Sequence, residues 1–245
     1  MTIRVIVNGA RGKMGLLACD TIEQHPDFQL VGALSRQDNL RKTINDTHAR
    51  IVIDLTRADC VFENTLAIIE CGAHPVIGTS GLLDAQINSL TELAKARKLG
   101  GIIVPNFSIS AVLMMRFAAQ AARYLSDVEI IETHHQQKFD APSGTALKTA
   151  ELIAHTRTKQ TVRSEFHELL PGARGSDHHG IRIHSLRLPG VLARQDVLFG
   201  NSGETLTITH NTLDRASFMP GLLLCCQKVM RLDGLYYGLE HLLEE

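Results

Sequence analysis

The sequence predicts an α/β protein in which a doubly wound parallel sheet is followed by a second α+β domain with an open, mixed sheet. Three observations carry this expectation. Short apolar runs alternate with helix-periodic stretches up to about residue 107. The order then changes to two helices and several alternating strands bounded by turn residues. Finally, closely spaced glycines stand directly after the first apolar run.

The first run, Arg4 to Asn8, is short and β-branched, as a strand buried on both faces requires. Lys13 to His25 then places apolar residues at helical spacing. Leu30 to Leu34, Ala49 to Leu55, Pro75 to Thr79 and Gly101 to Pro105 read as further strands, with Cys60 to Cys71 and Ala85 to Arg97 as helices between them. After Asn106 a long helix is expected over Ile109 to Leu125, then a strand over Val128 to Thr133, a polar loop, and a helix from about Gly144. The runs IRIHSLRLP, VLARQDVLFG and ETLTITHNTL alternate apolar with polar residues and predict mostly antiparallel strands. One face of that sheet needs cover from the helices or from another subunit. Ala216 to Leu232 is helical again and rich in apolar residues.

With 245 residues and 44% apolar content, the chain can bury a large core. Lys plus Arg number 25 against 26 Asp plus Glu, so no long-range field holds a polyanion and nucleic acid is not an expected partner. No apolar run approaches the roughly 20 residues that span a bilayer, and the first residues lack a signal peptide's layout. No membrane partner is expected, and the location is read as cytoplasmic. Cys19, Cys60, Cys71, Cys225 and Cys226 form no C-x-x-C pair and are read as buried thiols.

The turn VNGARGKMG follows a strand and opens a helix, the context in which backbone N–H groups and a helix N-terminus bind a pyrophosphate. Gly9, Ala10, Gly12, Lys13 and Met14 are therefore candidate cofactor residues of a Rossmann-like domain. The second strand ends in Ser35-Arg36 instead of an acid, which favours the 2′-phosphate of NADPH over NADH.

The loop HHQQKFDAPSGTA, His134 to Ala146, packs titratable and turn-forming residues between apolar segments. Ser143 suits a helix N-cap, so N–H groups near Gly144 and Thr145 could take a carboxylate. Lys138 adds a positive charge, and a histidine titrates near neutrality and can deliver a proton. The set fits an anionic substrate that is protonated as it reacts. Two other uses of the loop stay open here: Lys138 as a Schiff-base amine, and a capped helix without chemistry. His134 and His135 match no metal-ligand spacing, and no metal ligand is assigned. His178 and His179, in a Gly-rich stretch, carry no assigned role.

Taken in order, VNGARGKMG, VIDLT (Val52 to Thr56), GTSG (Gly78 to Gly81), PNFS (Pro105 to Ser108) and ETHHQQKFDAPSGTA (Glu132 to Ala146) closely resemble the dihydrodipicolinate reductase family of the bacterial diaminopimelate and lysine pathway. The resemblance covers essentially the whole chain. It implies that the glycine turn wraps the diphosphate of NADPH or NADH. It further implies that Gly78, Thr79 and Gly81 lie beside the nicotinamide, and that Pro105, Asn106 and Phe107 form a hinge segment against the cofactor. His134 matches the proposed general acid and Lys138 its substrate-binding and proton-donating partner, so both are candidate catalytic residues, while His135, Gly144 and Thr145 match residues that hold the substrate's two carboxylates.

The same resemblance implies a homotetramer built through sheets of the second domain. A dinucleotide-binding domain of residues 1–107 is expected to be completed by a C-terminal helix, 215–245, with residues 108–214 binding substrate and forming the tetramer. The substrate is then a cyclic imine dicarboxylate that loses its 4-hydroxyl, takes hydride at C4 and takes a proton from His134 at C3. Leu55, Ser80 and Leu82 depart conservatively from the family pattern. Ser35, where many members carry an acid, bears on the choice of nucleotide.

Overall fold

The computed structural model describes residues 2–157 and 167–243. Its chain divides into two compact units, Met1–Ile109 with Phe218–Glu245, and Ser110–Ser217.

In the first unit, β1 (Ile3–Asn8), β2 (Phe28–Leu34), β3 (Ile51–Asp54), β4 (His74–Ile77) and β5 (Gly101–Ile103) alternate with α1 (Lys13–Gln24), α2 (Leu40–Thr47), α3 (Val61–Glu70) and α4 (Asp84–Ala96). Every residue of β3 and β4 is buried, as strands covered on both faces must be. Ile6, Val52, Ile77 and Ile103 of the sheet pack with Leu34, Ile44, Val61, Ile68 and Leu90 in one core. The chain runs from β1 outward to β2 and then returns to place β3 on the other side of β1, so the strand order reverses there. That reversal is where open α/β sheets bind ligands.

Helix α2 was not expected from the sequence. Only Ile44 of its eight residues is buried, so the apolar periodicity is too weak to read. A local signal holds it instead: the Asn39 side chain accepts a hydrogen bond from Lys42 N at 3.0 Å.

The second unit contains α5 (Ile109–Ala121), β6 (Asp127–His134), α6 (Gly144–Thr156), β7 (Ser176–His178), β8 (Ile181–Arg187), β9 (Ala193–Asn201) and β10 (Glu204–Thr212). Its sheet order is β10-β9-β6-β8-β7. The chain-consecutive strands β8 and β9 do not pair with one another: β6 lies between them, parallel to β8 and antiparallel to β9. Strand β7, polar and largely exposed, carries no apolar signal and went unpredicted. Ile130 of β6, Ile183 of β8, and Val197 and Phe199 of β9 are buried. Leu186, Leu198 and Leu206 are exposed.

Where a single helix over Ala216 to Leu232 was expected, the chain forms 3-10 turns at Arg215–Phe218 and Val229–Arg231 around α7 (Met219–Lys228). It then adds β11 (Leu235–Tyr237) parallel to β5, completing a six-stranded sheet of order β11-β5-β4-β3-β1-β2. Of the five free thiols only Cys225 and Cys226 of α7 are buried, which corrects the reading of all five as core residues. Burial pushes the Cys226 thiol up to about 12. Among the described residues no helix is long and apolar enough to cross a membrane.

Helix α7 packs so closely that a Cβ on Gly221 would lie 1.9 Å from the carbonyl oxygen of Phe107. Gly221→Ala must therefore displace α7 or the Phe107 segment. Overpacking of this kind costs about 1–3 kcal/mol, and chemical denaturation is expected to show a lower midpoint with an unchanged slope.

Candidate active site

The carboxyl ends of β1, β3 and β4 converge on one buried carboxylate. Asp54, fully buried at the end of β3, accepts hydrogen bonds from Thr79 Oγ1 (2.6 Å), Thr56 Oγ1 (2.7 Å), Asn8 Nδ2 (2.9 Å) and Asn64 Nδ2 (2.9 Å). Thr56 N donates to Thr79 Oγ1 as well, at 2.8 Å. These bonds fix the residues from which the candidate cofactor loops depart. Asn8 leads directly into Gly9, which has φ +88° and whose Cβ, if present, would meet the Leu55 carbonyl at 2.4 Å. Ala10 is buried, and both Gly9 N and Ala10 N donate to the Leu34 carbonyl, tying this turn to the end of β2.

Gly12 is the cap residue of α1 and offers no side-chain acceptor, so the first-turn amides at Lys13 and Met14 have no capping partner from it. A cradle of this kind fits a diphosphate. Gly78 and Thr79 follow β4, with the ring of buried Phe107 against Gly78. Pro105 and Asn106 precede it, and Asn106 Oδ1 accepts from Ser108 N at 2.9 Å. Gly81, at φ +108°, lies against Ala58.

Beyond β2, Ser35 begins a turn whose closure was not read from the sequence. Asp38 accepts from Ser35 N at 2.7 Å and from Ser35 Oγ at 2.8 Å. These bonds hold its carboxyl below the usual range, the backbone one contributing most. An acid therefore does stand at the end of β2, three positions beyond Ser35, beside exposed Arg36.

In the second unit, strand alternation puts Ile130, Glu132 and His134 of β6 on one face. Glu132 is fully buried and His134 partly so, with His134 Nδ1 at 2.5 Å from Glu132 Oε2. Arg187, opposite His134 in the β6–β8 register, holds both oxygens of Glu132 at 3.0 Å. Burial alone would raise this carboxyl, but bonds from His134, Arg187 and Ser185 outweigh it and leave it at about 2. Arg187 also donates to the carbonyls of Asp140 (2.6 Å) and Lys138 (3.3 Å), so one guanidinium anchors both the carboxylate and the loop.

Lys138 Nζ lies 2.7 Å from both oxygens of Asp140, and that bond is the chief reason the Asp140 carboxyl sits low. Its charge is thus partly met within the loop. His135 Nδ1 is buried without a hydrogen-bond partner among the described residues. Ser143 caps α6 by accepting from Ala146 N at 3.2 Å, and Gly144 opens the helix with open space where a Cβ would stand. Thr145 is the second residue of the same helical turn.

The residues assigned from the sequence thus form two groups, one in each unit. The reading missed Asp54, Asp38, Glu132 and Arg187. Asp54 and Glu132 stood inside the quoted motifs, and Glu132 precedes His134 by two residues in one strand, which places both on one face. Arg187 had no local signal, because only the β6–β8 register brings it to Glu132.

Comparison with known proteins identifies the family. The sequence model described as "Dihydrodipicolinate reductase, N-terminus" matches residues 3–107, and that described as "Dihydrodipicolinate reductase, C-terminus" matches residues 110–243. The chain is 65% identical over 243 residues to a 4-hydroxy-tetrahydrodipicolinate reductase of Legionella pneumophila (strain Lens), covering 99% of this chain and 100% of that one. Identity to the enzyme of the same name from Coxiella burnetii (strain RSA 493 / Nine Mile phase I) is 51%, with the same coverage. The dipicolinate-bound dihydrodipicolinate reductase from Paenisporosarcina sp. TG-14 superposes with a TM-score of 0.90 at 43% identity, covering 98% of this chain and 99% of that one.

The position of Glu132 makes a pH prediction. Its carboxyl is lowered from 4.5 to about 2 on folding, so it contributes stability that is complete above the unfolded value and lost as pH falls through the folded one. The difference in unfolding free energy between wild type and Glu132→Gln, measured in urea, is expected to shrink as pH is lowered from about 5 towards about 2.

Proposed function

The chain belongs to the dihydrodipicolinate reductase family, and on that premise we propose that it reduces 4-hydroxy-tetrahydrodipicolinate to tetrahydrodipicolinate with a nicotinamide cofactor, in the route to diaminopimelate and lysine. The observation that carries this reading for the chain's own residues is the buried Glu132 holding His134 by Nδ1, with Arg187 fixing both Glu132 and the Lys138 loop.

Gly9, Ala10, Gly12, Lys13 and Met14 bind the diphosphate through the uncapped start of α1. Gly78, Thr79, Gly81, Pro105, Asn106 and Phe107 line the nicotinamide side. When bound, the nicotinamide supplies hydride to C4 of the substrate ring. Ser35 and Arg36 face the adenosine ribose. Exposed Arg36 favours the 2′-phosphate, so NADPH is preferred; the nearby Asp38 carboxylate gives the ribose hydroxyls of NADH an acceptor as well.

Glu132 accepts from Nδ1 of His134, which leaves Nε2 as the atom that donates to C3 of the ring. Lys138 pairs with one substrate carboxylate and releases Asp140 to do so, while His135 Nδ1, unpaired when alone, meets an acceptor or donor on the ligand. The other carboxylate is taken by the α6 N-terminus at Gly144 and Thr145, held in shape by the Ser143 cap. A dicarboxylate fits this group: with His134 protonated, two cations besides Arg187 face the ligand, while Glu132 is neutralised by Arg187. The exposed leucines on β8, β9 and β10 are consistent with a homotetramer assembled through this sheet. The proposed setting is the cytoplasm.

Steady-state kinetics with substrate generated in situ by the preceding synthase test the reading. His134→Gln is expected to lower kcat by about 10²–10⁴-fold with little change in cofactor affinity. Lys138→Ala is expected to raise the substrate KM strongly as well, because it removes a counter-charge to the dianion. Near wild-type kcat in the first variant, or an unchanged KM in the second, contradicts the assigned role.

A further inference from the structure

His178 ends β7 and His179 begins the turn to β8, and the reaction proposed above makes no use of them. Nε2 of His178 is buried and has no hydrogen-bond partner among the described residues. Its nearest charged neighbour is Oε1 of Glu151 on α6, at 3.7 Å, beyond hydrogen-bond range. The two imidazoles stand edge to face with centroids 4.3 Å apart, and His179 is held at φ +53°. One ligand atom from each of Glu151, His178 and His179 lies within 4.8 Å of the other two.

A buried ring nitrogen left without a partner is unfavourable unless something else engages it. We propose that Glu151, His178 and His179 bind a divalent transition-metal cation of the zinc class. Two imidazoles and one carboxylate suit zinc, cobalt or nickel, whereas calcium and magnesium favour all-oxygen sites. With metal–ligand distances of about 2.0–2.1 Å, neighbouring ligand atoms in a tetrahedral site stand roughly 3.3 Å apart. His178 and Glu151 need close only slightly to reach that, and the exposed His179 side chain is free to turn. Lys148 lies 3.7 Å from the other Glu151 oxygen, Oε2, which leaves Oε1 for the cation. Glu151 and His178 are partly exposed and His179 is exposed, so water has access to complete the coordination.

Sequence spacing gives no sign of such a site, since the carboxylate comes from a different element. A bound cation cross-links the end of β7 and the start of its turn to α6, the helix whose first turn contains Gly144 and Thr145. It therefore stabilises the second unit, and this inference stands or falls independently of the proposed reaction.

The test uses the full chain stripped by a chelator and titrated with zinc chloride, with binding heat and thermal unfolding as readouts. Cobalt(II) absorption reports the coordination. The expected result is saturable binding of about one equivalent, a low-coordinate cobalt spectrum, and a Tm that rises by several degrees with zinc but not with magnesium. His178→Gln and Glu151→Gln are each expected to weaken zinc binding by at least ~10-fold and to abolish the Tm gain. Matching circular dichroism spectra for both variants and wild type separate loss of the site from loss of the fold. Equal zinc binding by wild type and both variants, or no saturable binding below about millimolar zinc, overturns the proposal.

Discussion

A carboxylate taken out of water must be surrounded by donors, and the candidate site in each unit is organised by that requirement. Asp54 meets it with neutral groups from β1, the segment after β3, α3 and the segment after β4. Satisfying one side chain thus fixes the points from which the Gly9 and Gly78 loops leave the sheet. Glu132 meets it with a guanidinium and an imidazole, and Arg187 carries the constraint onward to the carbonyls of Lys138 and Asp140. Removing either carboxylate strands its buried donors, which is why neither behaves as an isolated polar residue.

The two solutions suit different tasks. Neutral donors around Asp54 hold backbone in place at the end of a sheet where a diphosphate needs free amides and a close approach. The charged set around Glu132 fixes the orientation of an imidazole and leaves one of its nitrogens available, as a proton donor must be placed before its substrate arrives. Lys138 and Asp140 extend that set into a loop whose internal ion pair an incoming carboxylate can exchange for itself.

Much of this was legible in the sequence, and what was not has physical causes. The parallel strands announced themselves because burial on both faces demands continuous β-branched residues, as in Ile51–Asp54. Ser143 was legible as a cap because its local chemistry leaves few alternatives. Helix α2 was not, since it buries only Ile44, and strands β7 and β11 were not, since each depends on pairing with a neighbour more than on its own pattern. The His134 loop was readable as a cluster, but Arg187 enters only because β6 separates β8 from β9, and no local pattern encodes that order. Asp38 was overlooked because the turn that brings it back to Ser35 places the acid three residues beyond the expected position.

The most direct measurement of the proposed chemistry is isotopic. Reduction with deuterium at the transferring position of the nicotinamide, and separately with unlabelled cofactor in heavy water, locates both added hydrogens in the product by NMR. We expect cofactor deuterium at C4 and solvent deuterium at C3. Cofactor deuterium at any other ring position, or none in the product, contradicts hydride delivery to C4 with protonation by the His134 imidazole.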